Sequence, residues 1–79
     1  MANINMEIIK LKGFAEMVKG EYLRYLISHG INPTNNDGNI LVQNMNEISE
    51  IGKNVFKCRT EDEIHECRSR IEGFRELLK

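Results

Sequence analysis

The chain has 79 residues, enough for one domain, and a domain of this size buries only about 60% of the surface its unfolded chain exposes. Eleven Lys and Arg stand against twelve Asp and Glu, a formal charge of −1, and the charge is evenly spread: residues 1–30 carry four basic and three acidic residues, residues 59–79 five and six. No run of about 18 or more apolar residues occurs, which excludes a membrane-spanning helix, and no block of Lys and Arg is present to displace counterions from a nucleic-acid backbone.

The first expected element is a long helix. Ile4, Ile8, Leu11, Ala15, Val18, Tyr22, Tyr25 and His29 recur at alternating steps of four and three, an apolar stripe at heptad spacing. The helix starts near residue 4 and runs to His29, roughly 39 Å at about 1.5 Å per residue. Its end is written in the sequence. Gly30 suits the left-handed position after the last turn, Ile31 falls where it meets Leu26, and Pro33 blocks continuation.

The second helix is expected over about 39–57, opened by Asp37 or Asn39 as the side-chain cap. Leu41, Met45, Ile48, Ile51, Val55 and Cys58 follow at helical spacing, and Gly52 weakens the element by roughly 1 kcal/mol relative to Ala. A strand over Asn54 to Cys58 competes at its end. The third helix, about 61–78, opens with Thr60-Glu61-Asp62-Glu63, a capping box. Ile64, Cys67, Ile71, Phe74 and Leu78 form its stripe. The stripe of the second helix would continue onto Asp62 and His65, so the register breaks at Arg59–Glu63 and two helices are read there. The fold class that follows is all-α: an antiparallel three-helix bundle with one long N-terminal helix and two shorter ones.

Tyr22 to Leu41, YLRYLISHGINPTNNDGNIL, resembles the junction between ankyrin repeats. There a helix ending in leucines and a glycine leads through a polar turn to an aspartate-glycine pair. Outside this stretch the pattern departs: Asn39-Ile40-Leu41-Val42 stands where a Thr-Pro-Leu-His start belongs, the preceding helix is more than twice the length of a repeat helix, and no second copy follows. The resemblance implies shared corner chemistry, and no ankyrin function is carried over.

Catalytic and metal chemistry find little support in the residues. There is no Gly-rich phosphate loop, nucleophile elbow or carboxylate cluster with a positioned His, so no catalytic residue, cofactor or enzyme activity is expected. His65 and Cys67 point about 200° apart on a helix, and Cys58 and Cys67 sit on apolar stripes as small hydrophobes, so no metal site is expected. His29 is read as a helix-end residue.

The stronger signal is apolar surface. Tyr22, Leu23, Tyr25, Leu26 and Ile27 make the end of the first helix apolar almost all round. Such a segment is covered on every side, by its own bundle or by a partner. Met17, Tyr22, Leu23, Leu26 and Ile27 are therefore the candidate partner-binding residues, with Asn35 and Asn36 in the corner beside them. Gly13 and Gly20 share a heptad position with Met6 and Ile27. They either admit close approach by another helix or are tolerated exposed positions. The function expected is a protein-protein interaction module, a regulator or inhibitor that occludes a partner's surface and self-associates as a homodimer or higher oligomer. A nucleic-acid-binding dimer using Arg68, Arg70 and Arg75, and a structural assembly subunit, are the alternatives. The N-terminus MANINMEIIKLKG lacks a basic segment ahead of a continuous apolar one, so a cytoplasmic location is expected. Nine Asn and ten Ile give a composition like that of low-GC bacterial or phage genes, and a phage protein would act in the host cytoplasm.

Overall fold

The computed structural model describes residues 4–35 and 38–78. Three helices account for most of them: α1 (Ile4–Ser28), α2 (Ile40–Asn54) and α3 (Glu61–Glu76), with a 3₁₀ turn (Val55–Lys57) between α2 and α3. No strand occurs among the described residues. Asn54 to Cys58, where a strand competed with helix, is the end of α2 and this 3₁₀ turn.

The three helices form an antiparallel up-down-up bundle. Lys19 Nζ lies 3.4 Å from Ser49 Oγ, while Gly52 faces Lys12 and Ala15, so α2 runs against α1. Glu7 pairs with Arg68 and Glu21 with Arg75, so α3 runs in the same sense as α1. One core joins all three elements. Ile8, Leu11, Ala15, Val18, Tyr22 and Leu26 come from α1, and Val42, Met45, Ile48 and Ile51 from α2. Val55, Cys58, Ile64 and Ile71 complete it.

The stripe of α1 follows the sequence pattern as far as Tyr22 and then leaves it. Leu26 is wholly buried, Tyr25 is only half-buried and His29 is exposed. A repeat of 3.5 residues drifts from a straight helix by about 20° per heptad, so after three heptads the inward position has moved from residue 25 to residue 26. His29 instead stacks on Tyr25, ring centroids 4.1 Å apart, with its Nδ1 2.9 Å from the Tyr25 carbonyl oxygen.

Caps fix the helix ends. Ile31 N–H donates to the Leu26 carbonyl at 2.9 Å and Gly30 N–H to that of Ile27 at 3.1 Å, with Gly30 at φ 71°. This is the paired C-terminal closure in which glycine takes the left-handed position. Asn39 caps α2, accepting from Leu41 N–H at 2.8 Å. Asp37, the other candidate cap, lies outside the described residues. Thr60 caps α3 through Glu63 N–H at 3.2 Å. The returning Glu63 carboxylate takes the Arg59 N–H at 3.1 Å, one residue earlier than the usual box.

Gly52 has a use the sequence did not reveal. A Cβ there would lie 3.4 Å from Lys12 Nζ and 3.5 Å from Ala15 Cβ, so the backbone of α2 passes close to α1 at this residue.

Candidate protein-binding surface

The helix that supplies the largest share of the core carries a second apolar face. At about 100° per residue, Met6, Ile9, Gly13, Met17, Gly20, Leu23 and Ile27 project within about 120° of one another, opposite the buried stripe. The face runs for about 32 Å from Met6 to Ile27 at the same helical rise. Glu16 and Arg24 interrupt it, and Glu16 is drawn aside by Lys12 at 3.1 Å. Gly13 and Gly20 have no heavy atom of another element within 4 Å of where a Cβ would stand. Neither serves packing within the bundle.

The residues proposed from sequence divide between the two faces. Met17, Leu23 and Ile27 are exposed, at 46%, 39% and 64% of their surface. Tyr22 and Leu26 are at 0%, and they are corrected here to core residues. The physical reason is coverage: the last two turns of α1 are flanked by α2 and α3, which take the Tyr22–Leu26 side and leave the Leu23–Ile27 side. Asn35 is exposed at the corner, and its N–H bonds the Asn32 carbonyl at 3.3 Å. Asn36 lies outside the described residues. Thr34 is held by the Asn32 side chain, whose Oδ1 accepts its N–H at 2.9 Å and its hydroxyl at 2.7 Å.

Sequence reasoning missed the other end of the face. Ile9 and Phe56 are 61% and 59% exposed and, with Ile4 and Ile8, line a depression of about 370 Å3. Ile9 belongs to both the depression and the long face, so the two are continuous. The signal for Ile9 was its position three residues after Met6. Phe56 had none, because a 3₁₀ turn breaks the period that would have placed it.

A polar junction underlies the covered face. The Tyr22 hydroxyl donates to the Phe74 carbonyl near the end of α3 and is hydrogen-bonded by the buried Asn44 of α2. Burial pushes the phenol above its ordinary value, and the Asn44 bond pulls it partly back. One hydroxyl thus ties all three helices, and the Phe74 carbonyl it reaches also accepts the Leu77 N–H at 3.2 Å.

The basic residues considered for phosphate contact are engaged within the chain. Arg68 lies 3.8 Å from Glu7, Arg70 3.7 Å from Glu47 and Arg75 3.0 Å from Glu21. His65 is exposed on α3, and among the described residues no group of three His, Cys, Asp or Glu is placed to hold a metal ion. No protein-family model, curated protein or solved structure matches this chain.

Proposed function

We propose that this protein is a small interaction module that binds another protein through the outward face of α1, acting as a regulator or inhibitor that covers a functional surface of its partner. The observation that carries this reading is the exposed series Met6, Ile9, Met17, Leu23 and Ile27, aligned on one side of a helix whose opposite side is fully packed. Exposed apolar residues scattered singly need no explanation, whereas five aligned on one side of a helix do. Met and large aliphatic side chains are adaptable contacts, and the two glycines leave room for a partner's helix to approach the α1 backbone.

The charge pattern favours a protein over a nucleic acid as partner. The net charge is −1, and Arg68, Arg70 and Arg75 each face a glutamate. Phosphate binding would have to break those pairs before gaining counterion release. The Asn- and Ile-rich composition supports a bacterial or phage origin, with the partner then a protein of the bacterial cytoplasm.

The test compares wild type with a variant carrying Met17→Ser, Leu23→Ser and Ile27→Ser. Both are immobilised and used to capture protein from bacterial lysate, and both are sedimented alone. A retained protein that is lost with the variant supports the reading. A self-associating wild type with a monomeric variant makes the partner a second copy. Identical retention and identical sedimentation would overturn it.

A further inference from the structure

We propose that Cys58 and Cys67 form a reversible dithiol-disulfide site, oxidised by a peroxide-class oxidant, that fastens the corner after α2 onto α3. The depression shared by the two cysteines is lined by no residue of α1, while the other side of Cys58 borders the depression that contains Ile9.

The placement comes from the break between α2 and α3. Cys58 follows the 3₁₀ turn in extended conformation, at φ −65° and ψ 136°. The chain turns through Arg59 and the Thr60 cap, and α3 brings Cys67 back alongside. The two cysteines line one surface depression of about 220 Å3 together with Lys57, Glu63, Glu66 and Arg70. The two thiols are close enough to act on one another electrostatically. Neither is in a disulfide in this structure.

The two thiols differ in a way that assigns their roles. Cys58 is buried and Cys67 is partly open to solvent. Burial first, and then the neighbouring Cys67 and Glu63, push the Cys58 thiol up, with Arg59 opposing. Cys58 therefore rests protonated, and Cys67 meets the oxidant.

The chemistry balances in two steps. The Cys67 thiolate attacks a peroxide oxygen and the O–O bond breaks. The sulfur takes one oxygen as a sulfenic acid, and the other leaves as hydroxide and is protonated to water. The Cys58 sulfur then attacks the Cys67 sulfur, its proton goes to the departing hydroxide, and a second water leaves as the S–S bond forms. The peroxide gains the two electrons that the thiols lose. A small thiol reductant reverses the bond by exchange.

The structural effect falls on α3, whose fully buried residues are Ile64 and Ile71 and whose ion pairs to α1 are partly exposed. A covalent tie near its start restricts the unfolded chain where apolar burial contributes least.

The test uses the full chain with a few equivalents of hydrogen peroxide, read by thiol titration and intact mass. Expected are loss of both thiols together, a mass lower by about 2 Da, a monomer on a non-reducing gel, and full reversal by dithiothreitol. The unfolding midpoint should rise by roughly 5–10 °C. With Cys58→Ser, Cys67 should be trapped by dimedone as a sulfenic acid. With Cys67→Ser, Cys58 should stay titratable under the same exposure. Thiols lost singly to higher acids, cross-linked dimers in place of the internal bond, or an unchanged thiol count would overturn the assignment.

Discussion

The two faces of α1 are built from similar residues and meet opposite fates. The inward face holds Ile8, Leu11, Ala15, Val18, Tyr22 and Leu26, all buried; the outward face holds Met6, Ile9, Met17, Leu23 and Ile27, all exposed. Apolar character alone therefore does not separate core from surface on this helix. What separates them is continuity of size and the presence of a polar anchor. The inward face has a large residue or Ala15 at every turn and a hydroxyl that finds partners on both neighbouring helices. The outward face is interrupted by Gly13 and Gly20 and carries Glu16 and Arg24 within it.

The comparison breaks most sharply at Leu26 and Ile27, adjacent residues on opposite faces. Leu26→Ala should destabilise the fold by roughly 3 kcal/mol, through lost burial and the cavity left behind. Leu26→Asp should leave no cooperative unfolding transition, because a bare carboxylate cannot be held in that core. Ile27→Ala should change stability by about 0.5 kcal/mol or less. Chemical denaturation of the three variants checks the order. Equal losses at residues 26 and 27 would mean that both faces are packed.

How far the sequence could foresee this division depends on the kind of signal. The helix ends were legible because a cap is local: Gly30, Asn39 and Thr60 each act within a few residues of themselves. The stripes of α2 and α3 were legible as periods, except at the start of α2, where Val42 is buried and Leu41, the expected stripe member, is only partly so. The choice of Leu26 over Tyr25 was not, because it depends on a drift that accumulates over the length of α1. Asn44 was hidden for a different reason. It lies four residues before Ile48, on an apolar side of α2, and its use appears only when Tyr22 and Phe74 arrive from the other two helices. Tyr22 and Leu26 looked like interface anchors because aromatic and leucine side chains serve interfaces and cores alike.

Tyr22→Phe tests the polar anchor next. It removes the hydroxyl, leaves Asn44 buried without that partner, and should cost about 1–2 kcal/mol. The pH dependence has a definite sign. Burial holds the folded phenol above its ordinary value of 10.0, so its contribution is complete below about pH 10 and fades as the unfolded phenol ionises above it. Wild-type stability should therefore fall from about pH 10 upward, and Tyr22→Phe should flatten that fall. A variant with the same slope as wild type would place the titrating group elsewhere.

The outward face gives the smallest effect on stability and the sharpest distinction between packing and docking. Gly13 and Gly20 are interior helix positions with open space beside them. Replacing both by Ala should raise stability by about 1–2 kcal/mol, from helix propensity alone. If a partner's helix approaches the backbone there, the same methyl groups should weaken binding while the isolated protein becomes more stable. A gain in stability with binding unchanged would make the glycines tolerated surface positions, and the contact would then rest on Met17, Leu23 and Ile27. Stability and binding that move in opposite directions on one substitution are the signature of a face the fold itself does not use.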